Sequence, residues 1–144
     1  MTNGKVRVLI ADDEPLARER LRTLLGREEW LELVAECPTG TDAIDAIGRL
    51  EPDLVFLDVQ MPGASGFEVI EAVGAARMPL VVFVTAFDHY ALRAFDVHAL
   101  DYLLKPFDRQ RFHEALIRAR QTLERPSDGA LERRLLELVQ DLKP

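Results

Sequence analysis

Five runs of apolar, β-favouring residues recur at regular intervals, at positions 6–11, 31–36, 54–57, 80–84 and 100–104. They read as continuous, not alternating. A strand apolar on both faces must be covered on both, so the runs call for a parallel sheet between two layers of helix. The intervening segments supply those helices. Ala17, Leu21, Leu24 and Leu25 share one helical face, as do Ala43, Ala46, Ile47 and Leu50, and then Phe112, Leu116, Ala119 and Leu123. Pro15 suits a first helical turn, Thr39 can cap the second helix, and Ser65 with Glu68 has capping-box spacing. The unit βα repeats five times, which makes a three-layer α/β fold.

The chain has 144 residues, 48% of them hydrophobic, enough for one domain with a proper core. After Arg125 the texture changes: the break "RPSDG" precedes Leu131, Leu135, Leu138 and Leu142, a series too short for a convincing coiled coil. Residues 1–124 are therefore expected to form the domain. Residues 125–144 are expected to be a linker or helical extension, packed back on the domain or continuing as a linker helix or dimer seam.

A net charge of −7 sets the surface against polyphosphate and anionic lipid, so this chain by itself is not expected to bind nucleic acid or membrane. Its one cysteine, Cys37, excludes an internal disulfide and a cysteine-based zinc site. No apolar run approaches the ~20 residues that cross a bilayer, and Met1 to Lys5 lack a secretory apolar region. The cytoplasm is the expected location.

Short parallel crossovers put every strand's carboxyl end on one sheet edge, where ligands bind. Asp12 and Asp13 follow the first strand, Asp58 the third, Thr85 ends the fourth, and Lys105 with Pro106 follows the fifth. The second ends in Cys37 and Pro38, which suits an edge strand away from the crevice. In "VRVLIADDEP" the acids Asp12, Asp13 and Glu14 crowd together where a buried strand stops. Carboxylates there lose hydration and repel one another unless a cation replaces the water. Mg²⁺ takes oxygen ligands, commonly one or two carboxylates with waters and phosphate oxygens. A carboxylate can attack phosphorus, a lysine is a point-charge donor to phosphate, and a threonine hydroxyl can donate one hydrogen bond. Each residue alone has an ordinary structural explanation; their joint placement points to a phosphoryl group and Mg²⁺.

With "LIADDEP" at 9–15, Asp58, Met61, Pro62 and Gly66 in a D-x-x-M-P-x-x-x-G pattern, "VTA" at 84–86 and "DYLLKPF" at 101–107, the chain resembles the receiver domain of bacterial two-component response regulators. The stretch 87–107 further resembles receivers joined to a LytTR-type DNA-binding domain. The resemblance implies a five-stranded parallel sheet in the order 2-1-3-4-5. It implies Asp58 as phosphoacceptor, Asp13 as main acidic metal ligand, Asp12 acting through water, and the Gln60 backbone carbonyl completing the Mg²⁺ site. Thr85 and Lys105 would meet the phosphoryl group, and Tyr102 would move with Thr85. Gln60 and Phe87 would govern water access, with Phe87 slowing hydrolysis. The donor would be a cognate histidine kinase. The face from the helix before the fifth strand to the helix after it, roughly 88–124, would form a homodimer. No enzymatic role is implied beyond self-phosphotransfer and autodephosphorylation, and a LytTR effector would lie beyond Pro144.

Three rivals compete. A haloacid-dehalogenase-type phosphohydrolase needs a second acid two residues after the nucleophile, where this chain has Gln60. A flavin module needs a Ser/Thr/Gly-rich loop in place of "DDEPLAR". A pseudo-receiver that docks partners without phosphorylation would not need the complete acidic set. His89, His98 and His113 show no ligand spacing, Trp30 suits a packing role, and Cys37 suits a small buried apolar position.

Overall fold

The computed structural model describes residues 4–86, 101–124, Leu136, Val139 and Gln140. Five parallel strands, β1 (Val6–Ala11), β2 (Leu31–Cys37), β3 (Leu54–Leu57), β4 (Leu80–Thr85) and β5 (Asp101–Leu104), pair in the order β2-β1-β3-β4-β5. The strand that ends in Cys37 and Pro38 does lie at an edge. β2 and β4 each run one residue past the expected apolar stretch, because pairing with the neighbouring strand continues to Cys37 and Thr85.

Side chains that alternate along each strand divide the core in two. Leu9, Ala11, Val55, Leu57, Val81 and Phe83 face one side, beneath α2 (Gly40–Leu50) and α3 (Gly66–Val73). Val8, Ile10, Leu54, Phe56, Val82, Val84 and Leu103 face the other, beneath α1 (Pro15–Leu25) and α4 (Arg109–Leu123). Each fully buried large apolar side chain contributes about 1.5–3 kcal/mol. Phe56 and Phe112 stack at 5.6 Å and tie α4 to the middle of the sheet.

The helix starts obey their sequence signals. Pro15 occupies the first turn of α1; Thr39 Oγ1 accepts from the Asp42 N–H; and Ser65 and Glu68 form a reciprocal capping box. Val139, beyond α4, is buried in the cluster under α2 and α3, whereas Leu136 is exposed. The helix expected near 88–100, Phe87, His89, His98 and the leucines at 131, 135, 138 and 142 lie outside the described residues. No helix among the described residues is long and apolar enough to cross a membrane.

Two glycines let the α2 and α3 starts press against the loop after β3. A Cβ on Gly40 would stand 1.9 Å from the Ala64 carbonyl oxygen, and one on Gly66 would stand 2.5 Å from that of Asp58. Both obstacles are backbone, so relief requires a helix to move. Gly40→Ala is expected to lower stability by about 3 kcal/mol, read as a lower urea midpoint with an unchanged slope. An unchanged midpoint would show that the α2–loop contact is soft.

Candidate functional site

The sheet places the polar residues by extending its own hydrogen bonding past the strand ends. The Asp12 N–H donates to the Cys37 carbonyl at 3.0 Å, the Asp58 N–H to that of Ala11 at 2.9 Å, and the Lys105 N–H to that of Thr85 at 2.8 Å. Residues from four strand ends thus share one edge, at the reversal between β1 and β3 where open α/β sheets bind ligands.

Asp12 and Asp58 are buried, at 1% and 5% exposure, and each has one carboxylate oxygen held by a nearby backbone N–H. Asp12 Oδ1 accepts from Glu14 at 2.9 Å and Asp58 Oδ1 from Gln60 at 3.2 Å. Their second oxygens face the Lys105 ammonium: Nζ donates to Asp58 Oδ2 at 3.2 Å and lies 2.9 Å from Asp12 Oδ2. The latter is an ion-pair contact without hydrogen-bond alignment, which leaves a buried carboxylate oxygen with no aligned donor. Lys105 also donates to Glu14 Oε1.

The electrostatics follow from three carboxylates around one ammonium, a net −2 (three minus one) when all are ionised. Burial, and then the neighbouring Asp12 charge, push the Asp58 carboxyl up to about 6, although Lys105 and the Gln60 N–H pull the other way. Burial disfavours the Lys105 ammonium, but Glu14, Asp12 and Asp58 outweigh it and raise its pKa. One oxygen from each of Asp12, Glu14 and Asp58 lies within 4.8 Å of the others. A hard divalent cation suits this set: all-oxygen donors, excess negative charge and an unaligned buried oxygen.

The grouping differs from the sequence expectation in one respect: Glu14 joins Asp12 and Asp58, while Asp13 is exposed and stands outside the group. Asp13 sits at a bend between them, and the Glu14 N–H donates across it to Asp12 Oδ1, which brings Glu14 over the site. The Gln60 side chain is exposed, and its N–H already serves Asp58. Thr85 is buried at the end of β4, paired with Leu104 beside Lys105.

Tyr102 is half-buried on β5, with the Arg111 guanidinium 5.2 Å from its ring centroid. That arginine donates to Asp101 Oδ1 at 2.6 Å and to the Tyr102 carbonyl at 2.5 Å. Neither Asp101 nor Arg111 carried a sequence signal; the buried acid was legible only as one charge inside an apolar run. His113 is exposed on α4, Trp30 is half-buried under the Arg120 guanidinium at 4.8 Å, and Cys37 is buried, its thiol pushed up to about 11 by desolvation and by Asp42.

A five-stranded 2-1-3-4-5 sheet with a lysine-bridged acid cluster at its switch point defines a protein of the receiver class. Residues 8–117 match the family described as the response regulator receiver domain, and the chain belongs to that family. It is 50% identical over 116 residues to the transcriptional regulatory protein BtsR of Salmonella typhi, covering 81% of this chain and 48% of BtsR. It is 44% identical over 112 residues to the sensory transduction protein LytT of Bacillus anthracis, covering 77% of this chain and 46% of LytT. Among solved structures it is similar to the response regulatory domain of mrkE from Klebsiella pneumoniae, with a TM-score of 0.72, 29% identity, and coverage of 82% of this chain and 98% of that one. The chain spans about half the length of the curated relatives it matches. It is a phosphoacceptor module of two-component signalling.

Proposed function

We propose that Asp58 is the residue that receives the phosphoryl group, from a cognate histidine kinase or a small acyl phosphate. The observation that carries this reading is the buried Asp58 carboxylate, one oxygen on a backbone N–H and the other on the Lys105 ammonium, beside Asp12 at the sheet's switch point. An Asp58 oxygen attacks phosphorus as the bond from phosphorus to the leaving group breaks, leaving an acyl phosphate on the protein. Mg²⁺, when bound, offsets repulsion between the carboxylates and the incoming anion. Asp12 and Asp58, whose oxygens converge, would hold it with the Gln60 carbonyl and with Asp13 turned in from its exposed position, while Glu14 stays with Lys105. Lys105 places a positive charge where the phosphoryl oxygens arrive, and Thr85 offers a hydroxyl.

The added charge and acceptor oxygens draw Thr85 and Lys105 inward and shift Tyr102, so that the face around 88–124 changes its affinity for a second copy. A coupling of about 1–3 kcal/mol suffices. Residues 1–124 act as the receiver and 125–144 as the connection to a LytTR-type effector, through which the cytoplasmic protein controls transcription. The names and lengths of BtsR and LytT support this reading. The chain itself performs only self-phosphotransfer and autodephosphorylation.

The test is incubation with Mg²⁺ and acetyl phosphate. Wild type is expected to gain one phosphate by intact mass and to sediment faster, while Asp58→Asn and a sample with EDTA gain at least a hundredfold less. Equal uptake by Asp58→Asn would put the acceptor elsewhere. No uptake by wild type would favour a phosphorylation-independent docking module.

A further inference from the structure

The Lys105 ammonium has three hydrogens and meets three carboxylates: Asp12 Oδ2, Asp58 Oδ2 and Glu14 Oε1. Two of these contacts, to Asp58 and Glu14, are hydrogen bonds and the third, to Asp12, is an ion pair, so an arriving phosphoryl group must share one positive charge with all three. We propose that Glu14 is a positioning residue that tethers Lys105 in the unphosphorylated protein and competes with the phosphoryl group for its ammonium. This rests on the reading of Asp58 as phosphoacceptor and Lys105 as its cation.

The three partners are not equivalent. Asp12 and Asp58 are buried, each fixed by a backbone N–H, so neither can withdraw from Lys105 without losing a second contact. The Glu14 side chain is 60% exposed and can return to water at little cost. Glu14 is the N-cap residue of α1 yet makes no side-chain capping bond, so its carboxylate is not committed to the helix. Its own backbone N–H is anchored on Asp12 Oδ1, which holds the residue over the site. The cation one turn along, Arg18, is engaged elsewhere: it donates to the Asp12 carbonyl at 2.7 Å and lies 3.8 Å from Glu36.

Glu14 is thus the contact that yields when the phosphoryl oxygens arrive, and its pull slows their capture. Glu14→Gln keeps the size and removes the charge. It is expected to speed phosphorylation by acetyl phosphate about two- to fivefold, the scale of one exposed ion pair. In a Lys105→Met background the same change is expected to alter the rate less than twofold, because there is no ammonium to release.

The tether also has a direct signature. The chain has three lysines, Lys5, Lys105 and Lys143, so lysine-labelled protein gives three side-chain NMR signals, with that of Lys105 assigned by its loss in Lys105→Met. Glu14→Gln is expected to shift the Lys105 signal and leave that of Lys5 in place, before any phosphate is added. An unmoved Lys105 signal, or equal acceleration in both backgrounds, overturns the tether; the latter would mean simple repulsion of the anionic donor by Glu14. If Lys105→Met reacts too slowly to time, a shifted signal with a faster Glu14→Gln supports the tether, and absence of either rejects it. Failure of wild type to take up phosphate is a separate result, and it removes the underlying assignment of Asp58.

Discussion

In Mg²⁺-free buffer at pH 7.5, Asp58→Asn is expected to unfold at higher urea than wild type, with a gain of about 2 kcal/mol. The wild-type carboxyl rises from 3.8 to about 6 on folding, through burial first and the Asp12 charge second. A shift of that size corresponds to roughly 3 kcal/mol, and the loss of an acceptor for Lys105 takes some of it back. The sign is that of a raised carboxyl. The native state binds the proton more tightly than the unfolded chain, so the contribution is fully present below about pH 4 and is lost as pH rises through about 6. The amide has no proton to lose and escapes that decline. The gap between the two proteins is therefore expected to close toward pH 4 and to open fully above pH 7. Mg²⁺ narrows it from the other side, since an ion at a hundred times its dissociation constant adds about 2.7 kcal/mol to a protein that binds it only when folded. Equal urea midpoints at pH 7.5 without Mg²⁺ would mean that Asp58 is less strained than its surroundings imply.

Lys105→Met acts on the same cluster with the opposite sign. It leaves Asp12 and Asp58 facing each other in the interior, with Glu14 alongside and no ammonium among them. Removing one partner of a buried pair typically costs 3–5 kcal/mol; because the Lys105 side chain keeps 15% of its exposure, about 3 kcal/mol is expected here. The loss has two remedies. Lowering the pH protonates Asp58, whose carboxyl burial and the Asp12 charge already push up to about 6, so the variant is expected to approach wild-type stability below pH 5. Mg²⁺ supplies the missing positive charge and is expected to raise the variant's melting temperature more than that of wild type. A variant as stable as wild type in EDTA, or indifferent to Mg²⁺, would contradict the charge balance derived for the site. These substitutions share partners, so the double variant Asp58→Asn/Lys105→Met is not expected to show the sum of their separate effects.

How the cluster was legible beforehand depends on the residue. Asp12, Asp58, Thr85 and Lys105 were readable because each sits at a strand end, and in a parallel sheet all such ends share an edge whatever the exact register. Glu14 was not readable as a partner of Lys105, since its reach depends on the dihedrals of a three-residue turn and on a side chain 91 positions away in the chain. The family resemblance implied Asp13 as the main acidic metal ligand; here it is exposed at the bend after β1, and the grouped carboxylates are those of Asp12, Glu14 and Asp58. Asp101 lay hidden inside the last apolar run; only the packing of α4 brings Arg111 and Arg118 to it, at 2.6 and 3.2 Å.

Periodicity and punctuation along the chain were enough for the strands, three helix starts, the edge position of β2 and the shared rim of polar residues, because those depend on local propensity and on which faces must be hidden from water. Which carboxylate answers which cation depended on the folded molecule. Charges interact over a few ångströms, and only the completed sheet and its turns set distances on that scale.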